Sequence, residues 1–192
     1  MKFHPAVRCI IFLSCLSFYR NRYFFGARAL RKSATMRANL EILFKGDAMI
    51  VCGVELKSNE AIVCLMTLTD GLFSLPDCRA SRIPLPNLEN TESIRAFQAT
   101  FSKLMEDYKV EKVVIRERLQ KGKFAGGALG FKMEAAIQLI QRLKVEVLAP
   151  SAIKAAIALH SVPVRFEDTG LKPFQEVAFI TAYASFAQGF KI

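Results

Sequence analysis

The 192-residue chain has no tryptophan and two histidines, His4 and His160. With so little imidazole, neither a serine-type catalytic triad nor an H-E-x-x-H zinc site can be assembled. The five cysteines, Cys9, Cys15, Cys52, Cys64 and Cys78, are odd in number and form no C-x-x-C pair. That leaves no zinc ribbon and no paired disulfide framework. Three of them lie among apolar residues, as core thiols of a reducing compartment do. In the first quarter of the chain the longest apolar run, Cys9 to Phe18, is about ten residues, roughly half of a membrane-spanning helix. Lys2 and Arg8 before it imitate a secretory signal, but Arg20 and Arg22 follow and no A-x-A-like cleavage site is present. Phe12-Leu13-Ser14-Cys15 resembles a lipoprotein site only loosely. The expectation is a cytoplasmic protein with no membrane partner.

Acidic residues are scarce at one end only. The chain carries 27 Lys and Arg against 17 Asp and Glu, a formal charge of +10. Residues 1–48 hold nine of the cations and two acids, Glu41 and Asp47, and so supply +7 of that excess. The basic-protein argument for a nucleic-acid partner therefore applies mainly to this stretch. Lys45-Gly46-Asp47-Ala48-Met49 can be encoded by codons containing a bacterial ribosome-binding sequence just upstream of a start, and an ordered domain begins at the same point. Residues 1–48 are read as a basic N-terminal extension, non-native or disordered, ahead of a misassigned start. A basic arm or an amphipathic membrane helix is the alternative. Residues 49–192 are one domain, long enough to bury a substantial core.

Met49 to Val54 is wholly apolar and ends in Glu55, the pattern of a central strand buried on both faces. Ser58-Asn59 turns the chain into a second strand, Ala61 to Leu68, and Asp70-Gly71 turns it again. Leu72 to Pro84 reads as a third, irregular edge strand, with Pro84 and Pro86 blocking ladder positions. The spacing of Ile94, Phe97, Phe101, Leu104, Met105 and Tyr108 predicts a helix over 91–108, capped by Asn90 or Thr91. Val110 to Ile115 is a fourth strand. After the loop Lys121 to Gly127 a second helix runs to about Leu143, and Val145 to Leu148 is a fifth strand stopped by Pro150. A helix capped by Ser151 reaches Leu159, and Pro173 opens a final, largely apolar helix.

This order predicts a mixed five-stranded sheet, its first three strands antiparallel, strands one, four and five parallel, and helices on both faces. Ligands of such sheets sit beyond the carboxyl ends of the parallel strands. Glu55 ends strand one, Glu117 ends strand four, and Glu176 is the one acid of the last helix. Three carboxylates in one pocket call for a hard cation, and oxygen ligands suit Mg²⁺ or Mn²⁺. Each also has an ordinary structural explanation: Glu55 as a solvated hairpin residue, Glu117 paired with Arg116 or Arg118, Glu176 complementing its helix dipole. Arg118, Lys121 and Lys123 precede Gly126-Gly127 and a helix start, an arrangement that suits a phosphodiester. It is no Walker A motif, and the glycines could equally let helix and sheet approach closely. Phe124 could stack on a base or be core.

The element order and the three acids resemble the ribonuclease H-like superfamily and, within it, the RuvC-type Holliday-junction resolvases. Val51-Cys52-Gly53-Val54-Glu55-Leu56-Lys57, Lys112 to Arg118, Lys121 to Gly127 and Phe174-Gln175-Glu176-Val177-Ala178-Phe179 resemble, more closely, the bacterial domain-of-unknown-function family 3010. The resemblance covers Met49 to about Ala187. It implies an acid-held pair of Mg²⁺ or Mn²⁺ ions at Glu55, Glu117 and Glu176, with Asp168 as a replacement acid and Glu134 a remoter one. Resolvases place an Asp where Glu55 and Glu176 stand, and here Pro173 occupies the place of a further acid, which leaves turnover in question. The implied function is a divalent-metal-dependent nuclease on structured nucleic acid, with Arg118, Lys121, Lys123 and Lys154 on the phosphate backbone. The alternative is a catalytically silent binding or assembly module of the same fold. A sugar or acetate kinase relative is a distant third, because one small domain lacks the half that encloses ATP. A homodimer is compatible with either, and no nucleotide cofactor is expected.

Overall fold

A computed structural model describes residues 49–69, 72–86, 90–119 and 126–189. The expected turn at Asp70-Gly71 and the cations Lys121 and Lys123, with Phe124, lie outside the described residues, as does the segment 1–48.

The apolar run at Met49 forms β1 (Met49–Lys57), paired antiparallel with β2 (Glu60–Thr69) through the two-residue turn Ser58-Asn59. Two short strands, β3 (Leu72–Ser74) and β4 (Arg82–Pro84), pair with opposite ends of β2. Helix α1 (Thr91–Asp107) leads into β5 (Lys112–Arg116), α2 (Ala128–Gln138) into β6 (Lys144–Leu148), and α3 (Pro150–Leu159) completes the first set of helices. Two 3₁₀ turns, Phe166–Thr169 and Pro173–Gln175, precede α4 (Glu176–Ala187). The sheet order is β3-β2-β1-β5-β6 with β4 also on β2, and β1, β5 and β6 run parallel. The expected sheet is therefore present with β1 at its centre.

Three local expectations need correction, and one left open between two residues is decided. The third strand is two strands, making six in all, because the chain leaves the ladder between Ser74 and Arg82, a stretch that includes Pro76, and returns only at the other end of β2. Helix α2 stops at Gln138 rather than near Leu143: successive turns at Leu139, Ile140 and Leu143 redirect the chain, burying Ile140 while Leu139 stays exposed. Pro150 opens α3 at its first turn, where its missing N–H costs nothing, so Ser151 is not the cap. Asn90, not Thr91, caps α1, its Oδ1 accepting from the Glu92 N–H at 2.9 Å.

Strand alternation sends successive side chains to opposite faces. Cys52, Val54, Leu56, Val113 and Ile115 pack beneath α1 and α2 with Phe97, Phe101, Leu104 and Met133. Val51, Val114, Cys64 and Met66 face α3 and α4 with Ile153, Phe179 and Tyr183. Gly53 belongs to the second face, and a Cβ there would lie 2.7 Å from the Ala182 nitrogen and closer still to the Ala178 carbonyl oxygen. Only glycine lets α4 rest this near to β1. Cys52 and Cys64 are buried free thiols, and burial pushes Cys64 up to about 12, as inert core thiols require. Among the described residues no helix is long and apolar enough to cross a membrane.

Candidate functional site: the carboxyl-end rim of β1 and β5

The direction of α4 fixes which end of the sheet its first residues reach. Lys112, at the start of β5, donates to Ser185 Oγ near the helix end at 2.9 Å, and mid-strand Gly53 meets Ala178 and Ala182. Helix α4 thus runs antiparallel to β1 and β5, and Glu176 lies toward their carboxyl ends. Gln175 fixes that arrival. It is buried, its Nε2 donates to the Val63 carbonyl of β2 at 3.0 Å, and its Oε1 accepts from the Lys172 N–H at 3.2 Å. Sequence reasoning missed Gln175; its one signal was an amide beside Glu176 in an otherwise apolar helix.

Register then separates the acids. The parallel ladder pairs Gly53 with Val114 and Val54 with Ile115, so one step further Arg116, not Glu117, stands level with Glu55. Glu55 shares the parity of Val51 and Gly53 on the α4 face. Glu117 follows Arg116, its N–H donates to the Leu148 carbonyl at 2.8 Å, and it keeps the parity of Val113 and Ile115 on the α2 face. A slip of one residue sends a side chain to the other face. Glu117 accordingly has Glu134 of α2 as its charge neighbour. Burial and then the Glu117 carboxylate push Glu134 above the usual carboxylate range, with Arg118 opposing.

Glu55 is half-buried, and that burial raises it, while the charges of Lys57, Arg116 and Arg118 pull the other way. Among the described residues it takes part in no hydrogen bond or ion pair. Glu176 is exposed at the first position of α4. Asp168 is exposed and held by Arg165 of its own turn at 3.1 Å. Lys154 is exposed on α3. Among the described residues no three His, Cys, Asp or Glu side chains are grouped to hold a metal ion. Glu117 lies within charge-interaction range of Glu134, but among the described residues Glu55, Glu117 and Glu176 are not gathered into one group.

Arg118 turns inward rather than toward solvent. Its Nη1 donates to the Leu56 carbonyl, and its Nε is buried without a hydrogen-bond partner among the described residues. A Cβ on Gly126 would lie 2.5 Å from that Nε, and one on Gly130 would lie 2.6 Å from the guanidinium carbon. These glycines make room for a side chain of their own domain. The Mg²⁺ or Mn²⁺ pair implied by the resemblance does not fit this donor set: the acids are divided between two faces, and guanidinium charge reaches Glu55 and Glu134.

The sheet order, the parallel β1-β5-β6 unit and a last helix crossing β1 define a ribonuclease H-like α/β fold. The Thermus thermophilus RuvC structure aligns with a TM-score of 0.58 at 12% identity, covering 73% of this chain and 95% of that one. T. thermophilus RuvC in complex with a Holliday junction substrate aligns at 0.55 with 15% identity and the same coverage. At such identities the likeness is one of fold. The chain belongs to the family described as protein of unknown function DUF3010, whose model matches residues 49–185. No curated protein matches it.

Proposed function

We propose that residues 49–192 form a ribonuclease H-like module that binds structured nucleic acid along the carboxyl-end rim of β1 and β5 and holds it without cutting. The observation that carries this reading is the β1–β5 register, which sets Arg116 rather than a second acid beside Glu55. A rim of alternating acids and guanidinium groups can meet phosphate and base edges, but it lacks the convergent carboxylates that two-metal hydrolysis needs. The nucleic-acid partner is supported by the fold shared with a RuvC bound to a Holliday junction. Exposed Lys57 and Lys154 add to it, as do Lys121 and Lys123 beyond the described residues.

The nuclease reading is favoured by one observation, the charge repulsion that Glu134 feels from Glu117, which a cation would relieve. A panel of branched DNA, duplex DNA, RNA–DNA hybrid and RNA separates the two, using the full chain and a chain beginning at Met49. The binding module should bind at low salt, with affinity and salt dependence reduced by Lys121→Ala and Lys154→Ala. It should leave every substrate intact in Mg²⁺ and Mn²⁺. Cleavage lost in Glu55→Gln would establish the nuclease instead. Failure of all four nucleic acids to bind would remove both readings.

A further inference from the structure

We infer that Arg118 is a resident cation of this rim: its guanidinium, fixed between the Leu56 carbonyl and the Gly126–Gly130 cradle, supplies between Glu55 and Glu134 the positive charge that a metal ion would otherwise bring. The inference concerns the protein alone and does not depend on nucleic-acid binding.

Three placements carry it. The Leu56 carbonyl that accepts from Arg118 belongs to the residue following Glu55, so the guanidinium is anchored within one residue of that carboxylate. Gly130, against which the guanidinium lies, precedes Glu134 by one helical turn, and residues four apart share a helix face. Arg118 therefore sits beneath the same face of α2 that carries Glu134. Finally, Nε is buried and, among the described residues, has no hydrogen-bond acceptor. A buried donor left open is costly, so the guanidinium is kept here for the positive charge it brings and not for its hydrogen bonds alone.

The electrostatics agree with that placement. The Arg118 charge is felt by both Glu55 and Glu134, each of which burial drives toward its neutral form. A guanidinium keeps its charge at every accessible pH and offers donors in a fixed fork. It is suited to set the local charge for two acids carried on different elements. A divalent ion entering the same space would meet that fixed charge, so the acids bind one only after Arg118 has been removed.

The test is the melting temperature of the full chain in Mn²⁺, against KCl of matched ionic strength. The wild type should show no Mn²⁺-specific shift. Arg118→Met should melt roughly 5 °C lower and recover part of that loss in Mn²⁺, since an ion bound only by the folded acids stabilises them. The recovery should vanish in Arg118→Met combined with Glu55→Gln. If Arg118→Met does not fold, Arg118→Lys serves, because it keeps a charge but loses the fork: it should melt lower and gain a smaller Mn²⁺ shift. A wild-type Mn²⁺ shift that disappears in Glu55→Gln would overturn the inference, and so would a folded Arg118 variant that Mn²⁺ leaves unmoved.

Discussion

Replacing Gly53 with alanine tests the contact on which the whole rim depends. The added carbon would lie 2.7 Å from the Ala182 nitrogen and 2.8 Å from the Ala182 Cβ, with the Ala178 carbonyl oxygen nearer than either. Carbon and a polar backbone atom settle at about 3.3 Å or more. Helix α4 would have to retreat by at least about 0.6 Å for the nitrogen, and further for the oxygen. The atoms in the way are backbone, so no rotamer change relieves them. Retreat also loosens Phe179, Tyr183 and Phe186, all buried against the sheet. Overpacking of this kind costs about 1–3 kcal/mol, and the upper end applies because a whole helix must move. At about 2–4 °C per kcal/mol for a chain of this length, the melting temperature should fall by roughly 6–12 °C. Thermal and urea denaturation of Gly53→Ala would measure it. Adding Ala182→Gly removes one of the three clashing groups and should restore only part of the loss. A Gly53→Ala protein within about 1 kcal/mol of wild type would mean that α4 does not lie on β1, and the placement of Glu176 would fail with it.

Three further outcomes follow from other parts of the structure. Gly130→Ala should be destabilising: it gains about 0.5–1 kcal/mol of helix propensity but displaces a charge-assisted hydrogen bond worth about 1.5–3 kcal/mol. A net stabilisation on denaturation would place Arg118 outside the cradle. Lys109 ends α1 at φ 51° in a Schellman arrangement, with the Val110 N–H on the Met105 carbonyl and the Lys109 N–H on the Glu106 carbonyl. Lys109→Gly should therefore stabilise by about 1 kcal/mol, and an unchanged urea midpoint would count against that geometry. Glu55 and Glu134 both stand above the ordinary 4.5 in the folded protein, so the folded state holds protons that the unfolded chain releases. Their contribution is present below 4.5 and is lost as pH rises through the raised values. Glu55→Gln should then gain stability relative to wild type over that rise, measured by denaturation at a series of pH values, and a constant difference across the series would refute the assignment.

The elements that the sequence disclosed were those with a strong repeating signal. An unbroken apolar strand at Met49 can only be central, and β1 is; Ser58-Asn59 between two β-rich runs can only be a tight turn, and it closes the pair Lys57 and Glu60. Helix α1 was plain because its buried residues recur at helical spacing around a capping Asn90. What stayed hidden was decided by partners distant in sequence. The split between β3 and β4 depends on which end of β2 each finds, and the early end of α2 depends on where Ile140 finds cover. Gln175 looked unremarkable until the Val63 carbonyl was placed above it.

The same distinction explains the site. Three acids at element ends were legible from the residues, but whether they meet is a question of register, and register is set by which residue of β5 pairs with Val54. That residue is Ile115, so the one intervening Arg116 takes the level of Glu55 and sends Glu117 to the face of α2. Composition at the rim barely changes between the two registers, yet the chemistry does. In one, carboxylates converge and demand a metal; in the other, Glu55 has the charges of Lys57, Arg116 and Arg118 around it. The glycines carried the missing signal. Gly126 and Gly130 are four residues apart and straddle the start of α2, which is the spacing of a slot for one side chain rather than of a loop wrapped around a phosphate. A cationic residue shortly before such a pair is then as reasonably the occupant of the slot as a contact for an outside anion. Here Arg118 fills it, and the rim is neutralised from within.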